Sequence, residues 1–198
     1  QFDTDKFRDF QQVKDHIIYR LINAAENKDF LKDVPHILYL DLAICFAAYY
    51  EQADGTAYSV MVHENHAKMW GVTAEQLYEH AEKNSPVLNP TKFVPMSSLL
   101  GGLADGCKMY VLTNKQQCMG AASVLYSEEL KEFSNKCQAD LIMIPSSVHE
   151  WIVFPRSGFD SVDRILEMIE EVNRSCVDPE EVLSYRIYIY RAEIGQVR

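Results

Sequence analysis

The chain has 198 residues, of which 47% are hydrophobic, 11% aromatic and 24% charged, and it carries a formal net charge of -10. That is the composition of a folded globular protein and excludes a disordered one, which would lack the apolar surface needed to offset ordering entropy. The acidic balance, without any Lys/Arg run, argues against nucleic acid as a partner, because a phosphate backbone is held by cations that displace its counterions.

No apolar run reaches the roughly 18 residues of a membrane span. The longest, Ile37 to Tyr50, is interrupted by Asp41, so no membrane partner is expected. Five cysteines, Cys45, Cys107, Cys118, Cys137 and Cys176, are irregularly spaced and form no CxxC pair. They read as reduced thiols of a cytoplasmic protein, with no cofactor or zinc site implied. The start at Gln1 has neither the basic end nor the apolar core of a signal peptide, and reads as that of a trimmed or processed product whose native N-terminus is missing.

Along the chain, Phe7, Phe10 and Val13 recur at helical spacing and predict an amphipathic helix over Asp5 to His16, followed by a strand at Ile17 to Ile22. Asn27 to Asp33 is a charged connection. The long apolar run to Tyr50 pairs with Thr56 to Val62 across the turn Gln52-Ala53-Asp54-Gly55, a hairpin. His63 to Met69 predicts a short helix stopped by Gly71. Thr73-Ala74-Glu75-Gln76 is a capping box opening a helix to about Lys83.

Pro86, Pro90, Pro95, Gly101-Gly102 and Asp105-Gly106 make residues 84–106 an irregular connection, a candidate lid and the place where a boundary would fall. Strands are expected at Lys108 to Thr113, Ala121 to Tyr126, Leu141 to Ile144, His149 to Phe154 and Tyr185 to Tyr190. Helices are expected after Ser127, with Leu130, Phe133 and Cys137 on one face, and after Ser161, with an apolar stripe from Val162 to Val172. Asp178-Pro179-Glu180-Glu181 starts a further turn with its cap, proline and acidic first turn in place. Strand pairs on tight turns with interspersed helices predict one α+β domain over residues 1–198, a mostly antiparallel sheet with helices on one face.

Asp33-Val34-Pro35-His36, Asp41-Leu42-Ala43, Lys68-Met69-Trp70-Gly71-Val72-Thr73 and Ile144-Pro145-Ser146-Ser147-Val148-His149-Glu150, in that order, resemble a domain-of-unknown-function family of gut-dwelling Clostridia. Trp70 to Thr73 followed by Glu75-Gln76-Leu77 is also similar to the YtpQ-type uncharacterised proteins of related bacteria. The resemblance spans about Val13 to Tyr190 and implies a single bacterial cytosolic domain, with no activity, cofactor or catalytic residue to carry over.

Three constellations carry candidate chemistry. His63 and His66, three apart on a helix, share a face and are candidate metal ligands if His36 or His149 converges on them. The spacing is not the HExxH of zinc proteases. Ser147, His149 and Glu150 are candidate catalytic groups, although in an extended segment Ser147 and His149 would lie about 7 Å apart on one face with Glu150 on the other, so no relay forms locally. Trp70, Trp151 and Tyr188, with Tyr185 and Tyr190, are candidates for an aromatic binding surface. Gly101-Gly102 lacks the GK[ST] of a phosphate loop. The leading expectation is a non-enzymatic module that recruits a protein or peptide through a sheet face or edge. The alternative is a small hydrolase or metal-dependent enzyme using His66, His149 and Glu150; a homodimer through an edge strand is compatible with both.

Overall fold

A computed structural model describes residues 7–99, 109–158, 167 and 177–198. The chain divides into two compact units, Gln1–Pro90 and Thr91–Arg198, with the division inside the irregular stretch anticipated at residues 84–106. The fold is α+β, with antiparallel sheets of four and six strands and helices packed against them.

In the first unit a short helix α1 (Phe10–Val13) and a 3-10 turn (Lys14–His16) lead into β1 (Ile17–Asn23). There follow α2 (Lys28–Leu31), β2 (Ile37–Tyr39), β3 (Leu42–Glu51), β4 (Ala57–Met61), α3 (Glu64–Trp70) and α4 (Ala74–Leu88). β1 pairs along one side of β3, while β2 and β4 share its other side end to end. Every residue of β1 and the first eight of β3 are buried, which is why β3 reads as an unbroken apolar run to Tyr49 and β1 as an apolar one broken by Arg20 and ended by Asn23, rather than as alternating strands. Arg20 is buried among them, its guanidinium donating to Ser59 Oγ at 2.9 Å and to the Tyr19 carbonyl at 3.4 Å.

Helix α4 seals the outer edge of β1. The capping box that starts it is formed: Gln76 N–H donates to Thr73 Oγ1 at 3.3 Å and Thr73 N–H to Gln76 Oε1 at 3.0 Å. Near its end, buried Ser85 accepts the Tyr19 N–H at 3.0 Å, and the Asn84 amide donates to the Ile17 and Lys14 carbonyls at 3.0 and 2.8 Å. These backbone groups point away from β3 and would otherwise be orphans in the interior.

The second unit holds β5 (Thr91–Pro95), α5 (Met96–Leu99), β6 (Tyr110–Asn114), a 3-10 segment (Gly120–Leu125) and α6 (Glu129–Cys137). β7 (Leu141–Ser147), β8 (Glu150–Pro155), a 3-10 turn (Pro179–Glu181), β9 (Tyr188–Arg191) and β10 (Gln196–Val197) complete it. The sheet order is β10-β9-β7-β8-β6-β5, antiparallel throughout. Leu130 and Phe133 of α6 are buried, and the Phe133 ring meets Tyr110 and Phe93 at 4.4 and 5.4 Å. Ile142, Ile144 and Phe154 form a buried cluster with Met109, Ile152 and Ile187.

Four expectations are corrected. The single helix over Asp5 to His16 is replaced, within the described residues, by the short α1 and a 3-10 turn, because Asp9 caps a new start by accepting the Gln11 N–H at 3.0 Å. Helix α4 runs through Pro86 to Leu88: the proline forgoes the bond an N–H there would give the Glu82 carbonyl, and Asn84 and Ser85 just before it anchor the helix on β1. Thr91 to Pro95, read as irregular, is edge strand β5, where Pro95 is tolerated at the end. Ala121 to Tyr126, read as a strand, is 3-10 helix, since its small residues let the backbone press against β6 and the β7–β8 turn. Gly101-Gly102, Asp105-Gly106 and the helix expected after Ser161 lie outside the described residues, apart from the helical Glu167.

Candidate functional site

In the second unit the residues around Ser147 to Glu150 converge on His149. The His149 Nδ1 accepts the Met119 N–H at 2.9 Å, which leaves the ring proton on Nε2, 3.2 Å from Glu181 Oε1. Its carbonyl accepts Thr113 Oγ1 at 2.7 Å, and its N–H donates to Ser147 Oγ at 3.0 Å. Val148 joins in on both sides, donating to the Glu181 carbonyl at 2.8 Å and accepting from Ala121 N–H at 3.1 Å. The β7–β8 turn is thereby fastened to the 3-10 segment and to the Asp178–Glu181 turn. Gly120 shows how close the approach is: a Cβ there would fall on Thr113 Oγ1 and within 2.5 Å of the His149 carbonyl.

Of the catalytic candidates, then, His149 is brought to Glu181, a partner 32 positions on that the local motif did not reveal. Ser147 is not brought to the imidazole. Glu150 meets Ser146 instead, accepting its hydroxyl at 3.2 Å. Both ring nitrogens of His149 have partners, so the imidazole ties the Met119 backbone to Glu181. Trp151 and Tyr188, read as surface aromatics, are core: Trp151 is fully buried, donates to the Ala121 carbonyl at 2.8 Å and meets Tyr188 edge-on at 5.1 Å.

In the first unit His63 and His66 lie at the start of α3, as the spacing predicts, and their rings meet edge-on at 5.7 Å. His66 Nδ1 accepts the His63 N–H at 3.1 Å, and His63 Nδ1 lies 3.3 Å from Asp33 Oδ2. Partial burial, then the neighbouring His63, hold His66 below the ordinary imidazole value, against a backbone bond to Met61 that acts the other way. Trp70 is half-buried in the same cluster, its indole donating to the Phe7 carbonyl at 2.9 Å and its ring 5.1 Å from Phe7 and 5.6 Å from Phe10. Among the described residues no group of three or more His, Cys, Asp or Glu side chains is placed to hold a metal ion.

The open feature of this unit lies elsewhere. A groove of about 580 Å³ runs between α2 and the β2–β3 turn, lined by Ala24, Ala25, Leu31, Leu38 and Leu40 together with the polar Lys28, Lys32, His36 and Asp41. Leu38 is 68% exposed and Leu40 50%. Leu40 also adopts φ 58, a left-handed conformation that costs a leucine about 1 kcal/mol and is normally left to glycine or asparagine. His36 Nδ1 donates to the Val34 carbonyl at 2.9 Å, leaving Nε2 as the ring's remaining polar atom. No sequence signal marked this groove, because its walls come from a four-residue helix and a three-residue strand, both too short to show a period.

A family model of unknown function matches residues 1–192. The chain belongs to DUF5688. No curated protein and no solved structure matches it. Within this DUF5688 chain, no helix of the described residues is long and apolar enough to cross a membrane. The segments that carried the resemblance have structural work here. Asp33 accepts the Glu64 N–H at the start of α3 at 2.8 Å, Gly71 closes that helix at φ 66, and Ile144 to Glu150 forms the His149 clasp.

Proposed function

We propose that this member of DUF5688 is a cytosolic binding module of bacterial origin that takes a peptide or protein segment into the groove between α2 and β2. The observation that carries the reading is an open apolar groove beside an edge strand, with Leu38 and Leu40 at least half in water and Leu40 held at a costly backbone angle. Strain at an exposed apolar residue does nothing for the core and is the kind of feature found where a ligand is met. The rival reading, a hydrolase or metal enzyme using His63, His66, His149 and Glu150, has less behind it, since no three metal-binding side chains converge among the described residues and Glu150 meets Ser146 rather than an imidazole.

The test is selection of displayed random peptides on the full chain, followed by amide-resolved NMR titration of the enriched sequences. Shifts centred on Ala24, Leu38 and Leu40, lost in a folded Leu38→Asp/Leu40→Asp variant, would support the groove. Enrichment of nothing, or shifts that the double variant leaves intact, would overturn it.

A further inference from the structure

Resting on that reading, we infer that the segment bound is extended, adds as a strand to the open edge of β2, and carries a carboxylate beside apolar side chains. The backbone argument comes from register. Tyr39 and Leu42 flank the two-residue connection Leu40-Asp41, and the closing pair of such a hairpin exchanges both of its hydrogen bonds. Alternation then makes Leu38–Ala43 a non-bonded pair, so the Leu38 N–H and C=O point away from β3. The same alternation carried across β3 turns Ile17 and Tyr19 outward on β1, and those are the residues whose outward groups meet Asn84 and Ser85.

One edge of this sheet is therefore closed by dedicated side chains. The other, β2, has no strand beyond it among the described residues. It also lacks the usual protections of an edge, since Ile37, Leu38 and Tyr39 include no proline, lysine or inward charge. An arriving strand would satisfy the Leu38 backbone while covering Leu38 and Leu40, the mode by which extended peptides augment sheets.

The carboxylate follows from charge. In a chain of net charge -10, the α2 wall of the groove presents Lys28 and Lys32. Lys32 is held by Asp29 at 2.6 Å, whereas Lys28 has no carboxylate partner among the described residues. Asp41 lines the groove at the β2–β3 turn, so the attraction for a carboxylate, and the repulsion of a ligand amine, is local to Lys28 on the α2 wall.

The experiment titrates the isotopically labelled full chain with three capped hexapeptides: alternating Val-Glu, alternating Val-Lys, and Val-Glu N-methylated at its two central residues. We expect Val-Glu to shift Leu38, Leu40 and Lys28 and to bind about 3- to 5-fold tighter than Val-Lys, as one exposed charge contact allows. The N-methylated peptide should bind at least about 10-fold more weakly, and Lys28→Glu/Lys32→Glu should reverse the preference between the charged peptides. Equal binding of Val-Glu and Val-Lys at Leu38 and Leu40 would overturn the carboxylate while leaving the groove in place. Unimpaired binding of the N-methylated peptide would overturn strand addition. Concentration-dependent shifts at β2 without any peptide would make a second copy of the chain the occupant and overturn a foreign segment. Peptides enriched by display that fill the groove while all three probes leave it untouched would overturn this inference and spare the function proposed above.

Discussion

The two edges of the four-stranded sheet are finished in opposite ways. On β1, Ser85 and Asn84 of α4 meet the outward Tyr19 N–H and Ile17 carbonyl of a wholly buried strand. On β2, a three-residue strand ends in a strained leucine turn and leaves Leu38 and Leu40 in water. The second unit repeats the sealing strategy at the β7–β8 turn, where His149, Thr113 and Ser147 tie down backbone that strand pairing leaves over. A closed edge is spent on stability; an open one has to be explained by what arrives at it.

Mutations that open sealed places should cost most. Gly120→Ala drives a methyl group into Thr113 Oγ1 and the His149 carbonyl, two partners with no room to retreat, and should destabilise the chain by about 3 kcal/mol or more, read from urea unfolding. Ser85→Ala strands the Tyr19 N–H inside the protein and should cost about 1 to 3 kcal/mol by the same measurement. If Ser85→Ala were neutral, the β1 edge would not be sealed by that hydroxyl, and the contrast with β2 would weaken.

A pH series sharpens the comparison from the side of α3. His66 is held below its ordinary value of 6.5, so the unfolded chain takes up this proton before the folded one does. Its contribution to stability is whole above about pH 6.5 and drains away as pH falls through that value toward the folded one. His66→Gln, which keeps an acceptor for the His63 N–H without titrating, should flatten the fall in unfolding midpoint between pH 7.5 and 5. An identical fall in the variant would assign that acid sensitivity to other groups.

The smallest effect on stability belongs to the open edge. Leu40→Gly removes an exposed side chain and relieves a left-handed leucine, so it should move stability by no more than about 0.5 kcal/mol. A loss of about 2 kcal/mol or more, typical of a core leucine, would show that the groove is structural after all.

Sequence reading reached what depends on residues near one another. The β3–β4 hairpin, the Thr73 capping box, Gly71 as a left-handed stop, strands β6 to β9 and the α+β class all have local causes, in turn chemistry and apolar period. It failed where a distant partner decides. Nothing in Gly120 to Leu125 announces that Trp151 and Val148 will bind its backbone and coil it into a 3-10 segment. Likewise, nothing in His149 announces Glu181. Trp151 and Tyr188 looked available because burial is a tertiary property, and the groove stayed hidden because its residues lie in short pieces from Ala24 to Asp41.

The order of pairings in the first unit bears on how the chain is made. All strand partners of its sheet lie between Ile17 and Met61, and the helix that covers β1 ends at Leu88. Emerging from a ribosome at roughly 5 to 20 residues per second, this sheet can assemble from neighbouring hairpins and receive its covering helix before most of the second sheet has been translated. The strands of β1 and β3, the most apolar in the unit, are thus exposed as sticky intermediates for only a few seconds of synthesis.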